Sequence, residues 1–77
     1  MQLRTFINKA HRLIEARESG KKISQADMAK RLSISSRTYE NYWRGVNEPK
    51  SMSVLLNMLS QLEDEDVLKM IRLWKKD

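Results

Sequence analysis

An all-α fold is predicted by three observations. The chain has one proline and two glycines in 77 residues. No stretch alternates β-branched and polar residues at the period of a strand. Successive segments instead carry apolar residues at spacings of three and four, separated by short polar connections. Five helices in a small domain account for the length, with no internal repeat, low-complexity segment or long linker.

In the first segment Leu3, Phe6, Ile7, Ala10, Leu13 and Ile14 form the stripe of a helix lying on a core, expected to stop near Gly20. After GKKI, Ser24 is a good N-cap, and Asp27, three residues on, supports the first turn of a second short helix. Met28, Ala29 and Leu32 are its expected inward stripe. Ser33 and Ile34 make a turn, and Ser35 caps a third helix that ends at Gly45, where a left-handed cap is wanted. The polar loop VNEPK leads to Ser51 and a fourth helix carrying Met52, Leu55, Leu56, Leu59 and Leu62. Residues 63–66 (EDED) place negative charge on the first turn of a fifth helix, and WKK places positive charge on its last, as the helix dipole favours.

Composition narrows the function classes. A chain of this length hides only about 60–65% of its unfolded surface, which argues against a large internal pocket. Fifteen Lys and Arg oppose ten Asp and Glu, and the excess is uneven. Residues 1–50 carry eleven basic and five acidic side chains, residues 51–77 four and five, so the first two-thirds is the part that attracts a polyanion. There is no cysteine, which excludes disulfides, thiolate chemistry and cysteine-based metal sites. The start, MQLRTFINKAHRL, predicts neither a secretion signal nor a membrane span, so a cytoplasmic protein is expected.

No catalytic or metal constellation stands out. His11 is the lone histidine, without the partners that metal binding or nucleophilic catalysis needs. Glu63, Asp64, Glu65 and Asp66 lack the alternating ligands and glycine of a calcium loop. No enzymatic activity, cofactor or small-molecule effector is expected.

The third helix carries the chemistry. At about 100° per residue, Ser36, Glu40, Arg44, Arg37 and Asn41 form one continuous polar arc. Thr38, Tyr39 and Tyr42 lie opposite, toward the core, and Trp43 sits on the border. The arc is either the wet face of an ordinary amphipathic helix or a surface for base edges. Arg can bond guanine O6 and N7 as a pair, and Asn can do the same with adenine N6 and N7. Glu40 can accept from cytosine N4, though Arg44 four residues on is its natural partner. Inward-pointing tyrosines do not make the stacking platform expected for single-stranded RNA.

The run SQADMAKRLSISSRTYENYWRG resembles the helix-turn-helix of Cro and lambdoid-repressor-type (XRE-like) transcriptional regulators. The similarity is ungapped from Ser24 to Gly45, with Gln25, Ala29, Leu32, Ile34, Ser35 and Gly45 in register, and Pro49 and the next helix continue it. The resemblance implies a helix-turn-helix DNA-binding domain over residues 1–62, with residues 63–77 as a C-terminal helix of the same domain. It places Ser36, Arg37, Glu40 and Asn41 on bases in the major groove of double-stranded DNA. It places Gln25, Asn47, Lys50 and Ser51 on the DNA backbone, where contacts fix register without specifying sequence; Ser35, at the start of the third helix, can take a phosphate there, and Arg44 is a further expected backbone contact.

Three departures from that pattern matter. Ser33 stands where glycine is common, so either the turn avoids positive φ or Ser33 carries strain. The segment GKKISQ is longer by about two residues, which makes Lys21 and Lys22 candidate extra phosphate contacts. Trp43 stands where an acidic or polar residue is usual; packing against the following loop, a dimer contact and a place along the DNA backbone are its alternatives, and packing is favoured. The Tyr42-Trp43-Arg44-Gly45 run is more weakly similar to small anti-CRISPR-associated autoregulators.

On the fifth helix Val67, Leu68, Met70, Ile71, Leu73 and Trp74 cover an arc wider than one packing face needs. A homodimer is expected, with Leu68, Met70, Ile71, Leu73 and Trp74 at its interface. The resemblance then implies a dimeric autorepressor of bacterial, phage or mobile-element origin, binding an inverted repeat with its recognition helices about 34 Å apart. The alternative is an antitoxin-like module of the same fold that binds a toxin and represses its own operon.

Overall fold

The computed structural model describes residues 1–76; Asp77, the last residue of the expected C-terminal segment, lies outside the described residues. In chain order the helices are α1 (Leu3–Arg17), α2 (Gln25–Arg31), α3 (Ser36–Arg44), α4 (Lys50–Leu59) and α5 (Asp64–Lys76). No strand occurs among the described residues. No helix among them is long and apolar enough to cross a membrane.

Serines cap the starts of α2 and α3 and close the ends of α1 and α2. The Ser24 hydroxyl accepts from the Asp27 N–H at 3.0 Å, and the Ser35 hydroxyl from the Thr38 N–H at 3.1 Å. Each satisfies a donor that the helix itself cannot pair. At the other ends, α1, α2 and α3 close on a left-handed residue whose successor donates back into the last turn. Gly20 N–H bonds Glu15 O beyond Ser19, Ile34 N–H bonds Ala29 O beyond Ser33, and Val46 N–H bonds Asn41 O beyond Gly45. All three carry the six-to-one bond of the Schellman motif. Only α3 has glycine at the left-handed position. Ser33 takes φ 60°, so of the two possibilities for this turn the strained one holds.

α3 is the centre of the packing, with α2 and α1 both laid against it. The buried cluster is Ile23, Met28, Ala29 and Tyr39, flanked by half-buried Ile7, Ile34, Tyr42 and Trp43. Leu3 is also buried. The expected inward positions need correction at three helices. Leu32 is 53% exposed, because α2 spends its seven residues on burying Met28 and Ala29, and Ile34 beyond the turn takes the place next to them. On α1 the inward line runs Leu3, Ile7 and His11, which leaves Leu13 outside and Ile14 at the margin. Phe6 turns instead to an open groove shared with Leu56, Leu59 and Val67. α4 and α5 bury no residue fully. On α4, Met52, Leu56 and Leu59 are half-buried, whereas Leu55 is exposed, and Leu62, expected on the same stripe, lies beyond the helix end and is exposed too.

The polar centre of this arrangement is His11, 4% exposed. Its Nε2 lies 2.8 Å from the Ile23 carbonyl oxygen, and its Nδ1 lies 2.8 Å from the Tyr39 hydroxyl. A carbonyl can only accept, so Nε2 carries the proton and Nδ1 accepts from Tyr39. One imidazole thus joins α1, the connection before α2, and α3. No buried side-chain nitrogen or oxygen among the described residues lacks a partner.

Two substitutions test these features. Ser33→Gly relieves the left-handed strain and is expected to raise stability by about 1 kcal/mol; a lower denaturant midpoint would contradict the strain. Tyr39→Phe keeps the ring but orphans His11 Nδ1, at a cost of about 1–3 kcal/mol, read as a fall in the thermal midpoint. An unchanged melt would show that the hydroxyl contributes nothing.

Candidate nucleic-acid interface

The outer face of α3 is aimed by its inner face. Tyr39, 3% exposed, fixes the helix against Met28, Ala29 and Ile23. Trp43, one turn on, sets its ring edge-on to His11 with centroids 4.9 Å apart, and lies 6.3 Å from Tyr39. Trp43 is therefore a packing residue, and its contact is α1 rather than the loop that follows. Its carbonyl also accepts from the Asn8 side-chain amide at 3.3 Å, a second tie between α1 and α3.

With those residues turned inward, helical periodicity sends the polar arc out. Ser36, Arg37, Glu40 and Arg44 are exposed, Asn41 is half-buried, and Thr38 and Tyr42 face the interior side. Glu40 and Arg44 lie 3.6 Å apart as an exposed i, i+4 pair, so Glu40 has a partner on its own helix. Arg37 is left as the cation on the arc outside that pair. The Ser35 hydroxyl accepts from Thr38 N–H and donates to Thr38 Oγ1 at 2.8 Å. Its expected role as a phosphate donor is weakened by that engagement, and the exposed first turn of α3 offers its backbone N–H groups instead.

The remaining expected contacts fall into two groups. Asn47, in a left-handed conformation at φ 53°, precedes Lys50 and Ser51 at the start of α4, and all three are exposed. Lys22 and half-buried Gln25 line a cleft between α1 and the start of α2, together with Arg12 and Trp43. Lys21 is exposed just before it, outside the cleft lining. Arg12 was not singled out in the sequence, because nothing along a single helix indicates that it will meet the second helix's start. Arg4 is a further case: its side chain reaches Gly45, where an added Cβ would come within 3.1 Å of Arg4 Cδ. It shares an open polar groove with Arg44 and Glu48.

Two carboxylates brace the scaffold behind this face. Glu15 Oε2 accepts from the Ile23 N–H at 2.7 Å and lies 3.4 Å from His11 Nε2. That backbone hydrogen bond, with smaller help from His11 and Arg12, holds its carboxyl below the ordinary 4.5. Glu18 forms a two-pronged ion pair with Arg31, tying the end of α1 to the end of α2, and the hydrogen bond from Arg31 lowers its pKa. Burial raises the Tyr39 phenol above its ordinary 10.0, which keeps it neutral and able to donate to His11. Among the described residues no group of His, Cys, Asp or Glu is arranged to hold a metal ion.

No family model, curated protein or solved structure matches this chain.

Depressed carboxyls fix the direction of the acid response. The unfolded chain binds protons at Glu15 and Glu18 more readily than the folded one, so their stabilisation is complete above the unfolded value and is lost as pH falls through the folded values. Stability should therefore drop from just above pH 4.5 downward. Glu15→Gln should shrink that slope while lowering the neutral-pH midpoint, as chemical denaturation at pH 3–7 would show. An unaltered slope would remove Glu15 from the acid response.

Proposed function

We propose that this chain is a sequence-specific double-stranded DNA-binding transcriptional regulator, with α3 as the helix that enters the major groove. The observation that carries this reading is the division of α3. Tyr39 and Trp43 lock one side to α1 and α2, and the other side presents Ser36, Arg37 and Glu40 to solvent, with half-buried Asn41 beside them. A helix braced in this way keeps its outer side chains at fixed spacing, which base-edge recognition requires.

The parts take distinct roles. Arg37 is the base-reading residue with the most freedom, since its guanidinium lies outside the Glu40–Arg44 pair and suits guanine O6 and N7. Asn41, one turn along, suits adenine. Short Ser36 lets the start of α3 approach closely. Lys50, Ser51 and Asn47 beyond α3, and Lys21, Lys22 and Gln25 before it, supply the sequence-independent grip on phosphates. Arg12 and Arg4 extend that cationic margin. The net charge of +5, with its excess in residues 1–50, draws the chain to DNA at low ionic strength. Regulation would then follow from occlusion of a promoter, its own being the simplest target.

Selection of bound sites from a random double-stranded pool tests the reading. Enrichment of a defined motif is expected, and a pool that stays random after several rounds would overturn it. On the selected site Arg37→Ala should cost about 1–3 kcal/mol and relax preference at one base pair. Lys50→Ala should weaken all sequences alike and reduce the salt dependence by about one phosphate contact. Equal losses from both variants on selected and random DNA would refute this division of roles.

A further inference from the structure

α4 and α5 leave an apolar groove open between them. Leu55 and Leu59 of α4 line one side, and Met70, Ile71, Leu73 and Trp74 of α5 line the other. Only Leu59 among them is half-buried, and Trp74 is 78% exposed.

The groove has a charged edge. Lys69, Arg72 and Lys76 line a second depression together with Leu73, the residue it shares with the groove. These cations follow one another at spacings of three and four, so they run as a row along one flank of α5. No carboxylate lines either depression; the acids of α5 are gathered in its first turn at Asp64, Glu65 and Asp66. Among the described residues neither Lys69 nor Arg72 belongs to an ion pair.

An apolar furrow with cations along one edge specifies the chemistry of what fills it. A helix laid in such a furrow anchors through apolar side chains at i, i+3 or i+4, and i+7. Carboxylates at the same spacing on its adjoining flank meet Lys69, Arg72 and Lys76 in turn. Pairing of two α5 helices does not supply them. In a parallel pair the same cations oppose the row, and in an antiparallel pair the first-turn acids reach only the last turn, leaving Lys69 and Arg72 unmatched. A flat anionic lipid surface matches the cations but does not enter the furrow.

We propose that the α4–α5 groove takes an acidic amphipathic helix of a different protein, its apolar row between Leu55 and Trp74 and its carboxylates along Lys69, Arg72 and Lys76. The contact uses no residue of the outer arc of α3, so it stands or falls independently of DNA binding.

A displayed library of helical peptides tests it, with leucine fixed at i, i+4 and i+7 and the flanking positions randomised. Selection on the whole chain should enrich Asp and Glu in those flanks. The double variant Lys69→Glu, Arg72→Glu should weaken the selected peptide at least about 30-fold, and a fresh selection on it should enrich Lys and Arg instead. The same change of charge at exposed Lys9 and Arg17 of α1 should leave peptide affinity unaltered, which separates the groove from general attraction of acid to a basic chain. Trp74→Ala should weaken the peptide about 10-fold. Flanks that stay random, or equal losses from the two double variants, would overturn the proposal. So would a dimer in sedimentation that Leu73→Glu dissociates, or binding to phosphatidylglycerol vesicles that Trp74→Ala abolishes, since either gives the groove to another occupant.

Discussion

Everything in the first two-thirds of the molecule depends on one buried imidazole. His11 donates to the Ile23 carbonyl and accepts from the Tyr39 hydroxyl, and Trp43 packs against its ring. A buried donor–acceptor of this kind has few substitutes. An apolar residue of similar size would leave both the carbonyl and the hydroxyl unpaired, and a side chain that only donates or only accepts would satisfy one of them. Because the three partners come from α1, the connection and α3, the ring sets how α3 lies on α1. The direction of the α3 outer face follows from that. Glu15 beside it completes the set by accepting the Ile23 N–H, so both backbone groups of Ile23 are anchored from α1.

Chain reversal is handled by a repeated device. Three helices end through a left-handed residue, and each closing bond returns the chain toward its own last turn within two residues. Between α2 and α3 this brings Ser33 into a conformation that glycine adopts without cost. The compact turn allows Ala29, 1% exposed, to share one buried cluster with Tyr39. Small residues at such a point let two helices approach closely. The turn and the alanine together make a short helix, which could not persist alone, into a rigid support for α3.

The remaining third of the chain is organised differently. α4 and α5 are amphipathic, their charges agree with the helix dipole, and their apolar positions repeat at helical spacing, yet neither buries a residue within the chain. A domain this small has little interior, and the His11-centred cluster already fills it. The apolar side chains left over on these helices, Leu55, Met70, Ile71, Leu73 and Trp74 among them, line an open groove between α4 and α5.

Helix number, helix starts and the outward arc of α3 were legible in the sequence, because each is a local property. Ser24 and Ser35 pair with groups three residues away, and periodicity alone separates Tyr39 from Arg37. Which apolar residues fill the core was only partly legible. Periodicity marks the apolar side of Leu32, Leu13 and Leu55 without saying whether anything will lie opposite it. His11, the Glu18–Arg31 pair, and the placing of Arg12 beside Gln25 and of Arg4 beside Gly45 were not legible at all, since each joins residues far apart in sequence. Trp43 shows the boundary most clearly. Its angle on the helix put it between core and surface, and only the presence of His11 on a second helix turned it inward. Taken alone, the sequence determined which helices form and which faces are polar, because hydrogen bonds and side-chain spacing within a turn are short-range. The tertiary structure decided which of those faces meet, because burial is a property of two surfaces together.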